Sequence, residues 1–111
     1  MIFIVRKITP SELKRRLKRE ELIILDIRTK EKFMFGHLKH PKAKNINVFK
    51  EDIFKMEQAD IPSKMPFSKH EEVVITCTSG NSATRCANIL QGKGYNVKVL
   101  KGGIVHWNKY A

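Results

Sequence analysis

Cys77 is the residue with the clearest chemical potential, because of the pattern on either side of it. The apolar run at residues 73–76 precedes it, and the polar residues 78–82 separate it from a helical pattern that begins at Ala83. A loop that closes onto a helix N-terminus points backbone N–H groups inward, and the helix dipole adds partial positive charge at the same place. A thiol at the first position of such a loop is favoured as thiolate, the form that attacks electrophiles or carries another sulfur atom. We therefore expect covalent chemistry at Cys77.

The second cysteine, Cys86, falls inside the helix that this pattern predicts. At ~1.5 Å rise per residue it would lie about 10 Å or more from Cys77, beyond the ~7 Å Cα–Cα limit of a disulfide. We interpret Cys86 as a small residue of the helix face, and a resolving or relay thiol is the alternative.

The length of the loop argues against a phosphatase. Cysteine-based phosphatases place an arginine six positions after the cysteine, where it grips a phosphate with two parallel hydrogen bonds. Ala83 occupies that position here, and Arg85 comes two residues later.

The elements that must position Cys77 alternate between strand and helix patterns. Thr9 and Glu12 form a capping-box pattern with Pro10 in the first turn, which predicts a helix start. The expected helices are residues 10–20, 31–35, 49–58 and 83–92 and a short last helix that carries Trp107, and the expected strands are residues 3–5, 22–25, 45–48, 73–76 and 97–100. Such alternation predicts an α/β fold with a parallel sheet covered on both faces.

In such sheets, ligands bind at the carboxyl ends of the strands. Asp26 directly follows the apolar run at residues 22–25, as Cys77 follows its own run. Asp26, Arg28 and Cys77 should therefore lie along one edge of the sheet, near enough to share a site.

Length and composition bound the class of protein. With 111 residues, we expect one domain over residues 1–111. No run approaches the ~18 apolar residues of a membrane span, and the apolar start at residues 1–5 is too short for a signal-peptide core, which favours a cytoplasmic protein. His40, His70 and His106 show no metal-ligand spacing, so no metal is expected.

The net charge of +11 is the compositional outlier. It could attract RNA or an acidic partner protein by long-range steering, or it could reflect solvated surfaces. Aromatic residues are not interleaved with the lysines as base stacking would require, so nucleic acid is not expected as the partner. No apolar stripe is left over to demand a second copy, which favours a monomer.

Three segments resemble signatures of the rhodanese family. The first is residues 25–28 (Leu-Asp-Ile-Arg), followed by Glu31, Phe33 and residues 36–38 (Gly-His-Leu). Residues 77–82 resemble the active-site loop of that family, and residues 100–104 with Trp107 resemble its C-terminal signature. The resemblance implies a single-domain α/β fold around a five-stranded, mostly parallel sheet, with a cysteine that carries a sulfane sulfur.

The resemblance implies a sulfurtransferase or persulfide carrier that acts through Cys77. The thiolate would take sulfur from a small donor, such as thiosulfate or a polysulfide, and pass it to a thiol acceptor. Backbone N–H groups would stabilise the anionic sulfur without a cofactor. The loop that binds the substrate or persulfide would comprise Thr78, Ser79, Gly80, Asn81, Ser82 and Ala83.

Three supporting residues follow from the first signature. We expect Asp26 to orient the Cys77 loop through backbone hydrogen bonds, Arg28 to pair with Glu31 or another carboxylate, and His37 to be a buried, satisfied histidine. The alternatives are acid–base catalysis by Asp26, binding of a substrate anion by Arg28, and proton shuttling by His37. Trp107 is expected to fill the core.

The loop departs from the family pattern at two positions. Members that use thiosulfate commonly carry Arg or Lys after the cysteine and a further Arg later, where this chain has Thr78 and Ser82. Each lost charge-assisted contact is worth about 1.5–3 kcal/mol, so we expect weak activity with thiosulfate and better use of a polysulfide or persulfide. A non-catalytic rhodanese-like module that recognises a protein partner is the alternative function.

Overall fold

The apolar runs that end at Asp26 and Thr76 become the two neighbouring central strands of one sheet. The computed structural model describes residues 4–58 and 64–110. Within them the strands are β1 (Lys7–Ile8), β2 (Leu22–Asp26), β3 (Ala43–Asn47), β4 (Glu72–Thr76) and β5 (Asn96–Leu100). The helices are α1 (Pro10–Leu17), α2 (Lys30–Phe35), α3 (Lys50–Lys55), α4 (Asn81–Gly92) and α5 (Gly103–Tyr110).

All strand pairs are parallel, and the strand order is β1-β5-β4-β2-β3. The chain moves outward from β2 to β3 and then returns to place β4 on the other side of β2. The β2/β4 boundary is therefore the point at which the winding direction reverses, where ligand sites form in such folds. Asp26 is in register with Thr76, so both strands end at the same level. The predicted α/β fold with a five-stranded sheet is confirmed.

Side chains on the two faces of the sheet enter separate cores. Ile23 and Ile75 pack with residues of α3 and α4, whereas Ile24 and Val74 pack with residues of α1 and α5. Buried strands therefore read as continuous apolar runs, since both of their faces are covered. Trp107 is buried in the second core, as predicted.

Several predicted boundaries are wrong. The first strand is β1, not residues 3–5: Phe3 lies outside the described residues, and Ile4 is exposed. The pairing is set instead by hydrogen bonds between the backbone near Lys7 and β5, which make a short edge strand. Helix α1 has the predicted capping box between Thr9 and Glu12 but ends at Leu17.

Two other helices also differ in length. Helix α3 is shorter than the predicted 49–58: it begins after Phe49, which keeps an extended backbone as the N-cap, and it ends at Lys55, with Met56 as the C-cap. Helix α4 begins at Asn81, two residues before the prediction. The sequence also predicts a proline-containing connection at residues 61–66, of which residues 61–63 lie outside the described residues. No helix within the described ranges is long and apolar enough to cross a membrane.

Candidate active site

Cys77 directly follows β4 and forms part of the wall of a cavity of about 270 Å³. The N–H of Gly80 donates a hydrogen bond of 2.9 Å to its Sγ atom. Gly80 has a φ of 105°, a left-handed conformation that favours glycine, and it turns the chain directly into α4. The other cavity residues are Ile27, Arg28, Thr29, Lys32, Phe49, Lys50, Thr78, Ser79, Asn81 and Ser82.

The start of α5 holds the backbone of the cysteine loop. The N–H of Ile104 donates to the carbonyl oxygen of Cys77 at 2.9 Å, and the N–H of Val105 donates to that of Thr78 at 3.2 Å. In a trans peptide the C=O and N–H point in opposite directions, so the N–H groups of Thr78 and Ser79 are directed away from α5. Among the described residues, neither of these N–H groups has a backbone or side-chain acceptor. The loop therefore offers donors to a bound anion.

This contact requires glycine at position 103. Gly103 has a φ of 64°, and a Cβ atom there would overlap the carbonyl oxygens of Cys77 and Thr78. The turn at Gly102 and Gly103 is thus a close approach of two backbones, one of which carries the cysteine.

Asp26 is the last residue of β2, in register with Thr76, but it does not hold the cysteine loop. Its fully buried carboxylate accepts hydrogen bonds from the backbone N–H of Arg28 at 3.0 Å and from the guanidinium of Arg28, the shortest at 2.7 Å. The expected bond from Asp26 to the loop is therefore wrong, because the guanidinium and N–H of Arg28 already occupy its oxygens. The partner of Arg28 is this carboxylate rather than Glu31.

Three further hydrogen bonds fix Arg28 and the segment that carries it. Its Nη2 donates to the carbonyl oxygen of Gly36 at 2.7 Å, and Asn47 donates through its side-chain amide to the carbonyl oxygens of Asp26 and Arg28. Arg28 reaches the cavity wall, where its Nε and Nη2 atoms are engaged by Asp26 and Gly36. It shapes the wall of the site, and the Asp26 carboxylate compensates its charge.

Apart from Gly80, whose N–H contacts Sγ, the predicted loop residues divide into two groups. Thr78, Ser79, Asn81 and Ser82 line the cavity, and the last two belong to the first turn of α4 rather than to a loop. Ala83 is fully buried in the core behind the site.

His37 lies away from the cysteine. Its ring stacks on that of Phe33 with the centroids 4.7 Å apart, and its Nδ1 is 3.0 Å from the carbonyl oxygen of Phe33. The half-buried ring lines a separate groove, which does not include Cys77. These contacts favour the structural interpretation of His37.

Two lysines of the cavity, Lys32 and Lys50, were missed by the sequence analysis. Lys50 is the first residue of α3, and its backbone N–H donates to the carbonyl oxygen of Ile27. Like the residues after β2 and β4, it follows the carboxyl end of a strand. The rule that ligands bind at the carboxyl ends of parallel strands, applied to β3, could have identified Lys50.

The contacts of Cys86 and Arg85 are those of structural residues rather than of reactive groups. Burial raises the pKa of the Cys86 thiol to about 12, and nearby Cys77 adds to the rise. Arg85 stacks on Phe54, 3.9 Å from the ring centroid, and lies 3.6 Å from Glu57. Neither residue lines the Cys77 cavity.

Comparisons with known proteins agree on one family. The family model for the rhodanese-like domain matches residues 9–110. Adenylyltransferase and sulfurtransferase UBA4 of Candida albicans is 35% identical over 89 residues, which cover 78% of this chain and 19% of that protein. This chain thus spans about a fifth of that relative. Putative sulfurtransferase YtwF of Bacillus subtilis is 28% identical over 105 residues, covering 93% of this chain and 90% of YtwF. The crystal structure of a rhodanese-like domain protein from Staphylococcus aureus matches with a TM-score of 0.73 and 26% identity, covering 93% of this chain and 91% of that one.

Proposed function

This chain belongs to the rhodanese-like domain family, and from that premise we propose that it is a sulfurtransferase that carries sulfur as a persulfide on Cys77. Two relatives, UBA4 and YtwF, bear the name sulfurtransferase, the second with the qualifier putative. The family membership and the geometry around Cys77 support this function independently.

In the loading step, the thiolate of Cys77 attacks a terminal sulfane sulfur of a polysulfide. An S–S bond forms to Sγ, the adjacent S–S bond of the donor breaks, and the shortened polysulfide leaves with the electron pair of that bond. The product is Cys77–S–S⁻, whose negative charge lies on the outer sulfur. The step needs no metal or organic cofactor.

In the transfer step, the thiolate of an acceptor attacks the outer sulfur of the persulfide. A new S–S bond forms on the acceptor, and the bond to Sγ of Cys77 breaks and returns its electrons to the Cys77 thiolate. The acceptor leaves as a persulfide, and the enzyme is ready for another donor.

The observation that carries the proposal is the arrangement of N–H groups around the sulfur. Gly80 already donates to Sγ at 2.9 Å, and the N–H groups of Thr78 and Ser79 have no acceptor in the described part of the chain. Fixed backbone dipoles stabilise an anion without reorganising during the reaction. A persulfide anion is a reactant that such a cradle suits.

Donor preference follows from the side chains around the cavity. Thr78 and Ser82 supply no charge, and Arg28 is engaged by Asp26. Lys32 and Lys50 remain as cations of the cavity wall, but an ammonium group cannot form the two parallel hydrogen bonds of a guanidinium. We therefore expect a polysulfide or persulfide to be a better donor than doubly charged thiosulfate.

Mass spectrometry after incubation with polysulfide tests the proposal. Wild type should gain one sulfur atom on the peptide that contains Cys77, and Cys77→Ser should gain none there. A folded wild type that gains no sulfur would instead favour the alternative function, a binding module without turnover.

A further inference from the structure

A second groove runs beside the Cys77 cavity, between helices α2 and α5. We call it the α2–α5 groove. Its volume is about 700 Å³, and its apolar part is built from Phe35, Ile104 and Trp107. The other residues that line it are Arg28, Glu31, Lys32, Gly36, His37, Lys39 and Asn108.

Phe35 gives the α2–α5 groove an unusual edge. Phe35 is 97% exposed, although the other phenylalanine of the same helix, Phe33, stacks on His37. A partner that covered this exposed phenylalanine would remove it from water, and the burial would contribute about 1.5–3 kcal/mol to the free energy of binding.

The α2–α5 groove adjoins the Cys77 cavity. Arg28 and Lys32 line both the groove and the Cys77 cavity. An extended segment lying along the groove could therefore present a side chain to Sγ, whereas a small sulfur donor would need only the inner cavity.

The charges along this path have one predominant sign. Lys32, Lys39 and Lys50 line one or both cavities, and no carboxylate of the described residues lies within ion-pair distance of them. Among the described residues that line the two cavities, Glu31 is the only carboxylate. Together with the net charge of +11, these lysines complement a negatively charged occupant.

We propose that the α2–α5 groove docks the sulfur acceptor, a protein segment with an apolar side chain, flanking carboxylates and a cysteine that reaches Cys77. This inference rests on the proposed function. The transfer is Cys77–S–SH + R–SH → Cys77–SH + R–S–SH, in which one S–S bond forms on the acceptor cysteine as the bond to Sγ breaks. An RNA occupant fits less well, because Phe35 is a single exposed ring rather than a series of stacking platforms.

Synthetic peptides test the docking of such a segment. The first contains one cysteine, a phenylalanine and flanking glutamates; in the second, lysines replace the glutamates, and in the third, serine replaces the phenylalanine. Protein preloaded with polysulfide is mixed with each peptide, and transfer is followed by mass spectrometry. Each peptide rate is divided by the rate to dithiothreitol in the same preparation. For wild type, this ratio should be about tenfold higher for the first peptide than for either other peptide.

Variants of the protein locate the contact. Phe35→Ala should lower the ratio for the first peptide about tenfold, and Lys39→Glu should lower it about threefold or more, with the effect shrinking at high salt. Ile4→Ala removes another exposed apolar side chain, and Lys14→Glu makes the same change in net charge on α1. Neither Ile4 nor Lys14 lines the α2–α5 groove, and both control variants should keep the wild-type ratio.

The failure of the docking inference and that of the proposed function give different results. If Cys77 loads and transfers but the ratio is equal for all three peptides, the docking inference is overturned and the proposed function stands. If Cys77 does not load, fluorescence anisotropy with a labelled first peptide, its cysteine replaced by serine, still measures docking. Wild type should then bind about tenfold more tightly than Phe35→Ala, and equal binding overturns the inference. If a single-stranded RNA of matched length displaces the labelled peptide at lower concentrations than the unlabelled peptide does, the groove would be assigned to nucleic acid instead.

Discussion

The carbonyl oxygen of Cys77 accepts a hydrogen bond of 2.9 Å from the N–H of Ile104, in the first turn of α5. The bond satisfies a helix N–H that has no acceptor within its own helix, and it also fixes the first peptide of the cysteine loop. Helix α5 begins at Gly103, 26 residues after Cys77 in the chain. The helix and the cysteine loop therefore form one structural unit.

Gly103→Ala tests this unit. The substitution places a Cβ atom against the carbonyl oxygens of Cys77 and Thr78 and forces a non-glycine residue to a φ of 64°. We expect the free energy of unfolding to fall by about 2 kcal/mol or more, and the rate of persulfide loading to fall as the loop shifts. Urea denaturation and loading followed by mass spectrometry measure the two effects.

Gly36→Ala is the matched control for stability. Gly36 has an extended φ of −178°, and an added Cβ would meet nothing within 4 Å. Its free energy of unfolding should stay within about 0.5 kcal/mol of wild type. Equal losses for the two alanine variants would contradict the close approach at Gly103.

Arg28→Ala should destabilise the fold strongly. Asp26 is fully buried, and Arg28 supplies its guanidinium partner, so the truncation leaves a buried carboxylate without its counter-charge. The expected loss in the free energy of unfolding is about 3–5 kcal/mol at neutral pH. Lys55→Ala breaks an exposed pair of 3.9 Å with Asp52 and should cost less than about 0.5 kcal/mol. A small loss for both variants would show that Arg28 contributes no more than a surface ion pair.

Cys86 should be chemically silent in the native protein. Because burial raises its pKa to about 12, it stays a neutral thiol at neutral pH and gains thiolate character only as the pH approaches that value. Iodoacetamide at about pH 8 should modify Cys77 alone in the folded protein and both cysteines in denaturant. Peptide mapping measures this, and Cys86→Ala should still load sulfur on Cys77. Loss of loading in a folded Cys86→Ala variant would indicate a relay thiol.

Thr78→Arg should improve the use of thiosulfate. Thr78 is exposed at the cavity, and an arginine there could add a charge-assisted contact worth about 1.5–3 kcal/mol, which corresponds to a rise of about tenfold or more in kcat/KM. Thr78→Gln adds length without charge and is the control. Steady-state kinetics with cyanide as acceptor measure the effect. A wild-type kcat/KM for thiosulfate above that for polysulfide would contradict the donor preference.

The sequence predicts the strands best where both faces are buried. The run before Asp26 is apolar at every position, and the run before Cys77 is apolar except for the buried Thr76, because cores cover both sides of the sheet. The edge strand β1 carries an exposed Lys7 beside a buried Ile8, so its pattern is too short to distinguish from that of a loop. The apolar residues before it drew the prediction to the wrong place.

Site residues were predictable where a motif or a strand end marks them, and not where the partner is distant. The sequence indicates that Asp26 and Cys77 share an edge, but it does not say that Arg28 folds back onto Asp26. The pinning of the cysteine loop by Ile104 depends on tertiary packing of α5, and no local pattern encodes it. The adjacent Gly102 and Gly103, both of which have positive φ, mark a tight turn in the sequence but do not identify the cysteine loop as its partner.

The most direct test of the central claim follows one sulfur atom through Cys77. Protein is loaded with polysulfide labelled with a heavy sulfur isotope, freed of excess donor, and mixed with an unlabelled acceptor thiol in a single turnover. The account predicts that the label is first on the Cys77 peptide and then on the acceptor, at matching rates, and that Cys77→Ser shows neither. Label that never reaches Cys77, or that stays there while the acceptor remains unlabelled, would contradict it.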